Sequence, residues 1–221
     1  MPIKTASLHG SPYIGIFCSV TDDVALVPHH TPHTEQKKIG EALEVNVIPC
    51  TVAESQLIGV MAKGLGKKIA VAYTTTDEEI RALEKHGLEI YRVHEMTAIG
   101  NLVCVQENGG IASPMIPQEE VARLQDFWNV KFHRKIVAQS EIAGSCIVAT
   151  GRGFLSHPKT DPEEMESLEA LFKVKGITTT ANYGDAFIGN SVLANRKGVV
   201  VGERTSGHEL ARIDEGLNPR T

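Results

Sequence analysis

The sequence predicts an α/β protein of five repeated units, closed into a ring with strands inside and helices outside. Three observations predict it. A residue pair ending in glycine recurs at Ile14-Gly15, Ile58-Gly59, Ile99-Gly100, Ala143-Gly144 and Ile188-Gly189, so the glycines stand 44, 41, 44 and 45 residues apart. After each glycine come two apolar runs split by a polar or glycine-rich turn, the pattern of a β-hairpin. After each hairpin comes a helix-start signal.

The elements follow in chain order. The first apolar run of each unit reads as a strand directly after the glycine: Ile16-Phe17-Cys18, Val60-Met61-Ala62, Leu102 to Val105, Cys146 to Ala149 and Ser191 to Ala194. The turns are Thr21 to Asp23, Lys63 to Lys68, Glu107 to Gly110, Thr150 to Gly153 and Asn195 to Gly198. The second runs are Val24 to Val27, Ile69 to Ala72, Ile111-Ala112, Phe154-Leu155 and Val199 to Val201. Thr76-Asp77-Glu78-Glu79 and Ser206-Gly207-His208-Glu209 are capping boxes. Pro117-Gln118-Glu119-Glu120 and Asp161-Pro162-Glu163-Glu164 open two more helices, and Thr34-Glu35 opens a weaker first one. Early acidic residues suit the positive end of a helix. A short strand follows each of the first four helices, at Val45 to Val47, Leu88 to Tyr91, Val130 to Phe132 and Val174 to Thr178.

The unit is therefore strand, strand, helix, strand, with boundaries at about 3–52, 53–95, 96–137, 138–180 and 181–217. One unit cannot bury its own apolar face, but five can if they close on one another, giving a single domain. The repeated glycine then marks a crowded backbone position where no Cβ fits. An open α/β sheet would not need a glycine at one place in every unit.

Composition narrows the function. Twenty-two basic against 27 acidic residues give a net charge of −5, which excludes a generally basic nucleic-acid coat. No apolar run approaches the roughly 20 residues that cross a bilayer, and no apolar leader follows Met1-Pro2-Ile3-Lys4. The expectation is a cytoplasmic protein that does not engage membranes. Cys18, Cys50, Cys104 and Cys146 form no Cys-x-x-Cys pair and have apolar neighbours, so they read as buried reduced thiols.

Several segments resemble the translation initiation factor 6 family, of the archaeal type, and its pentein fold, a five-unit α-β propeller. Thr97-Ala98-Ile99-Gly100-Asn101 resembles the family's Ala-Leu-Gly-Asn motif, and Ser156-His157-Pro158-Lys159-Thr160 its His-Pro-Lys-Thr segment. Ala181-Asn182-Tyr183-Gly184 and Thr205-Ser206-Gly207-His208-Glu209-Leu210 resemble two further segments. The resemblance spans residues 3 to 217. It implies a non-catalytic, monomeric protein without cofactor that binds the large ribosomal subunit and sterically blocks joining of the small one. It also implies contact with a large-subunit protein near the sarcin–ricin loop, and with ribosomal RNA as a further candidate.

Two sets of residues are candidates for that contact. The position after each glycine reads Ile16, Val60, Asn101, Ser145 and Asn190. In a ring these lie at one end, where polar side chains beside a glycine backbone could meet a partner. The resemblance makes Asn101 the strongest, joined by Val60, Ser145 and Asn190. The second set is basic: Lys63, Lys67, Lys68, Arg152, Arg196 and Lys197 fall in equivalent hairpin turns. They form a candidate patch for RNA phosphate or an acidic protein, although basic turns are also ordinary solvated loops.

Other signals are weaker. Pro28-His29-His30-Thr31-Pro32-His33 departs from the family pattern; its histidines lack a matching acidic or cysteine partner, and it reads as a solvated loop rather than a metal site. Gly64-Leu65-Gly66-Lys67-Lys68 lacks phosphate-loop spacing. Trp128 reads as core. The rival function is the amidino-group hydrolase or transferase of other penteins, whose nucleophilic cysteine lies in the last unit. Residues 181–221 hold no cysteine, which argues against it.

Overall fold

The computed structural model describes residues 2–219. It contains five separate three-stranded sheets. The first and second strands of each hairpin are antiparallel: Ser19–Val20 with Val24–Pro28, Ala62–Leu65 with Lys68–Val71, Val103–Gln106 with Gly109–Ala112, Ile147–Ala149 with Phe154–Ser156, and Val192–Ala194 with Val199–Gly202. The five long helices are His33–Leu43, Asp77–Glu84, Gln118–Trp128, Pro162–Phe172 and Gly207–Leu217. The strand after each of the first four, Asn46–Cys50, Glu89–Arg92, Phe132–Arg134 and Gly176–Thr178, pairs in parallel with the second hairpin strand.

Two features differ from the sequence expectation. The glycine steps are not strand starts. They lie in one-turn helices, Ile14–Phe17, Ile58–Met61, Ile99–Leu102 and Ala143–Cys146, and in the 3-10 turn Ile188–Asn190. Four apolar residues carry no usable period, so helix and strand look alike there. The second feature completes the fifth sheet, for which no strand follows the last helix. Ile3–Ala6, from the start of the chain, pairs in parallel with Val199–Gly202 and fills that place.

The repeated glycine has the role expected of it. A Cβ on Gly59 would sit 1.9 Å from the Gly15 carbonyl oxygen, one on Gly100 1.9 Å from Gly59 O, and one on Gly144 2.1 Å from Gly100 O. One on Gly189 would meet Gly144 O at 2.5 Å, and one on Gly15 would meet Gly189 O at 2.0 Å. The succession of contacts thus returns to its first member, and the first hairpin strands touch one another in the same order. At the other end of the hairpins, three of them grip a neighbouring helix end. Lys68 Nζ donates to Phe127 O (2.6 Å), Gln106 Nε2 to Phe172 O (2.7 Å), and Asn195 Nδ2 to Leu43 O (2.9 Å).

The apolar side chains gather into five clusters that lie between sheets and helices. Most clusters draw residues from neighbouring units; Ala70 and Val93 of the second join Ile99, Leu124 and Trp128 of the third. Trp128 is core, stacked on Phe132, with its indole N–H donating to Lys68 O. At roughly 25 cal/mol per Å2 a buried Leu or Ile contributes about 2 kcal/mol, so each cluster is a substantial bond between units. The axis is lined differently, by glycine backbone, small residues and a few polar side chains around a narrow cavity of about 70 Å3.

Candidate functional site

Strand direction gives the molecule two ends. The second and third strands of each sheet finish beside the one-turn helices, as Ala72 N donating to Met61 O, Ser113 N to Leu102 O and Gly202 N to Ser191 O all indicate. The long helices therefore start at this glycine end and finish at the hairpin end.

At the glycine end, four tight turns precede the one-turn helices, closed by the bridges Leu8–Ser11, Val52–Ser55, Val137–Ser140 and Ala181–Asp185. In three of them the central residues have left-handed backbones without being glycine: Ala53 and Glu54 at φ 56° and 55°, Ala138 and Gln139 at 52° and 63°, Asn182 and Tyr183 at 48° and 63°. Each such residue costs about 1–2 kcal/mol. Carboxylates three residues into the long helices hold these turns. Glu79 accepts from Glu54 N (2.9 Å) and Thr51 Oγ1 (2.6 Å), and Glu164 from Ala138 N (3.2 Å). Glu209 accepts from Tyr183 N (3.2 Å), Gly184 N (2.9 Å) and Thr180 Oγ1 (2.7 Å). In the third unit Glu120, buried, accepts from Tyr91 Oη (2.9 Å) and His94 N (3.2 Å). Burial alone would push the Glu209 carboxyl up; the hydrogen bonds from Ser206, Thr180 and Gly184 outweigh it and bring it down to about 2. The same competition leaves Glu79 below the ordinary carboxylate range.

In the sequence Glu79 and Glu209 read as capping-box residues, and Glu120 and Glu164 only as early helix acids. The signal that could have found their second role is their spacing. Glu79, Glu120, Glu164 and Glu209 lie 41, 44 and 45 residues apart, in step with the glycines.

Among the described residues the exposed large apolar side chains all lie at this end: Tyr13, Leu57, Tyr73, Met115, Ile136 and Tyr183, the last 83% exposed. Tyr13 and Leu57 cap one-turn helices, Tyr73, Met115 and Ile136 follow strands that finish there, and Tyr183 tops a left-handed turn. Around them stand exposed acids, among them Glu78, Glu95, Glu119, Glu141, Glu163 and Glu203.

The residues after the glycines are less available than expected. Val60, Asn101 and Asn190 are partly buried. Ser145 is only 3% exposed, because the one-turn helix packs it inward, so its hydroxyl cannot serve on an outer rim. Asn101 and Ser145 border the axial cavity.

At the hairpin end most of the basic turn residues are engaged, while Lys67 is exposed and makes no ion pair among the described residues. Arg196 is engaged by Asp22 (Nε–Oδ2 3.3 Å) and by Glu107. Lys197 Nζ donates to the carbonyls of Asp22 (3.2 Å) and Glu44 (3.0 Å), and Arg152 binds Asn218. Lys68 is held by Phe127 O and lies near Glu89 (3.8 Å). Lys63 does not join them; it borders the axial cavity. Between these turns opens a vestibule of about 460 Å3, lined by Asp22, Asp23, Glu107 and Arg196 among others.

The thiols are poor nucleophiles. Cys18, Cys104 and Cys146 are buried, and burial raises all four thiols, Cys50 to about 12. Without thiolate at neutral pH there is no attacking sulfur. His29 and His30 pack edge to face, His33 begins a helix, and the described residues hold no group of three metal-binding side chains.

Five repeated units, thiols held un-ionised, and one end that combines exposed apolar side chains with braced turns are the features that the fold brings together. Residues 3–216 match the family model described as the eIF-6 family. Curated relatives carry the name Translation initiation factor 6. One from Pyrococcus horikoshii is 34% identical, over 98% of this chain and 99% of its own length. Those from Pyrococcus abyssi and Staphylothermus marinus are 35% and 33% identical, with at least 98% of each chain covered. The chain belongs to the eIF-6 family. A solved structure of a dimethylarginine dimethylaminohydrolase adduct is 18% identical, covering 93% of this chain and 73% of its own, with a TM-score of 0.45; that likeness is too loose to bear on activity.

Proposed function

We propose that this chain, as a translation initiation factor of the eIF-6 family, binds the large ribosomal subunit through its glycine end and blocks joining of the small subunit by bulk. One observation carries the choice of end: among the described residues all the exposed large apolar side chains gather there, as in interface cores. Its surrounding acids favour a basic protein over RNA phosphate, in keeping with a large-subunit protein near the sarcin–ricin loop. Val60, Asn101 and Asn190 back this surface from below, with Asn101 foremost. The cyclic order of glycine contacts supports reading the five units as one closed pentein ring, rigid enough to present the surface without rearrangement. The protein acts as a cytoplasmic monomer and does no covalent chemistry; raised thiols support that reading over an amidino-group hydrolase or transferase.

Co-sedimentation with purified archaeal large and small subunits tests this. Migration with the large subunit alone, and fewer joined ribosomes, is the expected result. Migration with neither subunit, or turnover of arginine-like substrates, overturns it.

A further inference from the structure

Four consecutive units each bring one polar side chain to the axial cavity: Ser19, Lys63, Asn101 and Ser145. Ser19 and Lys63 stand four residues after their unit glycines, on the inner strands; Asn101 and Ser145 stand one residue after theirs, on the one-turn helices. Ser19 and Ser145 are 7% and 3% exposed. None of the four side chains hydrogen-bonds to another group among the described residues, and both serines line the cavity.

We propose that this cavity binds a small monovalent inorganic anion of chloride size, held by Lys63 with the Ser19 and Ser145 hydroxyls and the Asn101 amide. Lys63 is the only charged residue lining the cavity, in a chain of net charge −5. Of the vestibule's acids, Asp22 and Glu107 are engaged by Arg196, and Asp23 makes no ion pair among the described residues. Lys63 is half-buried, and an ammonium drawn partly out of bulk water gains from a counter-charge or added hydrogen bonds. The side chains around it can supply three N–H donors from Lys63, two from Asn101 and one O–H from each serine; the Asn101 and serine oxygens can accept as well. A cation would be repelled by Lys63, and an apolar guest would leave these donors unmade. A volume of about 70 Å3 admits a halide and excludes an organic anion such as a nucleotide. Bound there, the anion ties four units together at the axis, so occupancy stabilises the fold in proportion to the logarithm of its concentration.

The test uses the full chain. Crystals grown in sodium bromide, measured at the bromine edge, should show an anomalous peak on the axis within hydrogen-bond reach of Lys63 Nζ. In solution, the thermal midpoint of the unaltered protein should rise with chloride against gluconate at matched ionic strength. Lys63→Met, or Lys63→Gln should the first not fold, should lose both the peak and the chloride response. Axial density without anomalous signal in the unaltered protein overturns the proposal. So does a peak that survives in the neutral variants. A peak without any chloride-dependent midpoint marks an adventitious ion only, and overturns it too.

Discussion

The glycine end and the hairpin end are made by the same five units, yet they spend their polar groups in opposite ways. At the hairpin end, turn side chains face one another and neighbouring helix ends. Arg196 meets Asp22 and Glu107, and Gln106 and Asn195 take up helix carbonyls. At the glycine end, carboxylates brace strained turns from beneath and leave Tyr13, Leu57 and Tyr183 outside without cover. Tyr183 makes the contrast plain: its backbone is held by Glu209 while its ring is exposed. One end fastens the units together. The other presents a surface.

The contrast can be broken at its base first. Gly59→Ala drives a Cβ against the Gly15 carbonyl, where only backbone can yield. We expect a loss of about 4 kcal/mol or more, read by denaturant unfolding. Gly10→Ala, in an outer turn at φ 73° with open space around it, should cost about 1 kcal/mol from backbone strain alone. Equal losses would show that the axial contacts carry no special weight.

Bracing of the turns comes next. Glu209→Gln removes a charged acceptor from Tyr183, Gly184 and Ser206, and should cost about 2–3 kcal/mol at neutral pH. The pH sign follows from a folded value of about 2, below the ordinary 4.5. The stabilisation is complete above roughly pH 4.5 and is lost as pH falls toward 2. Urea midpoints of the unaltered chain should therefore fall more steeply across that window than those of Glu209→Gln. Parallel curves would remove Glu209 from the account.

The smallest effect belongs to the hairpin end. Arg196→Ala breaks partly exposed ion pairs with Asp22 and Glu107, worth about 0–1 kcal/mol. A larger loss in denaturant unfolding would mean the vestibule is a structural lock.

How far the sequence disclosed all this depended on range. The five units were legible because a glycine against a neighbour's carbonyl must recur with the unit. The capped helices were legible because Thr76, Asp161 and Ser206 bond within four residues of themselves. The one-turn helices were not, since Ile58–Met61 is too short to show a period. Ile3–Ala6 completing the last sheet, and Arg196 reaching Asp22 and Glu107, were hidden because each joins segments far apart in sequence. The contact surface was half legible. Asn101 and its neighbours lie at the same end as the exposed apolar side chains, but Ser145 is turned inward, and the outer residues carry no shared letter: Tyr13 and Leu57 share a place in their units but not a type, and Met115 and Ile136 follow different strands.

The central claim is that the glycine end meets the large subunit. It is tested most directly by titrating purified large subunit with two paired variants, each first shown to unfold at the normal denaturant midpoint. Leu57→Lys with Tyr183→Ala alters the glycine end; Lys67→Glu with Arg152→Glu alters the hairpin end. The account expects the first pair to weaken binding about 100-fold, the scale of two lost anchor residues, and the second to leave it within about threefold, as rim charges do. Tight binding by the first pair together with lost binding by the second would place the contact at the opposite end and contradict the account.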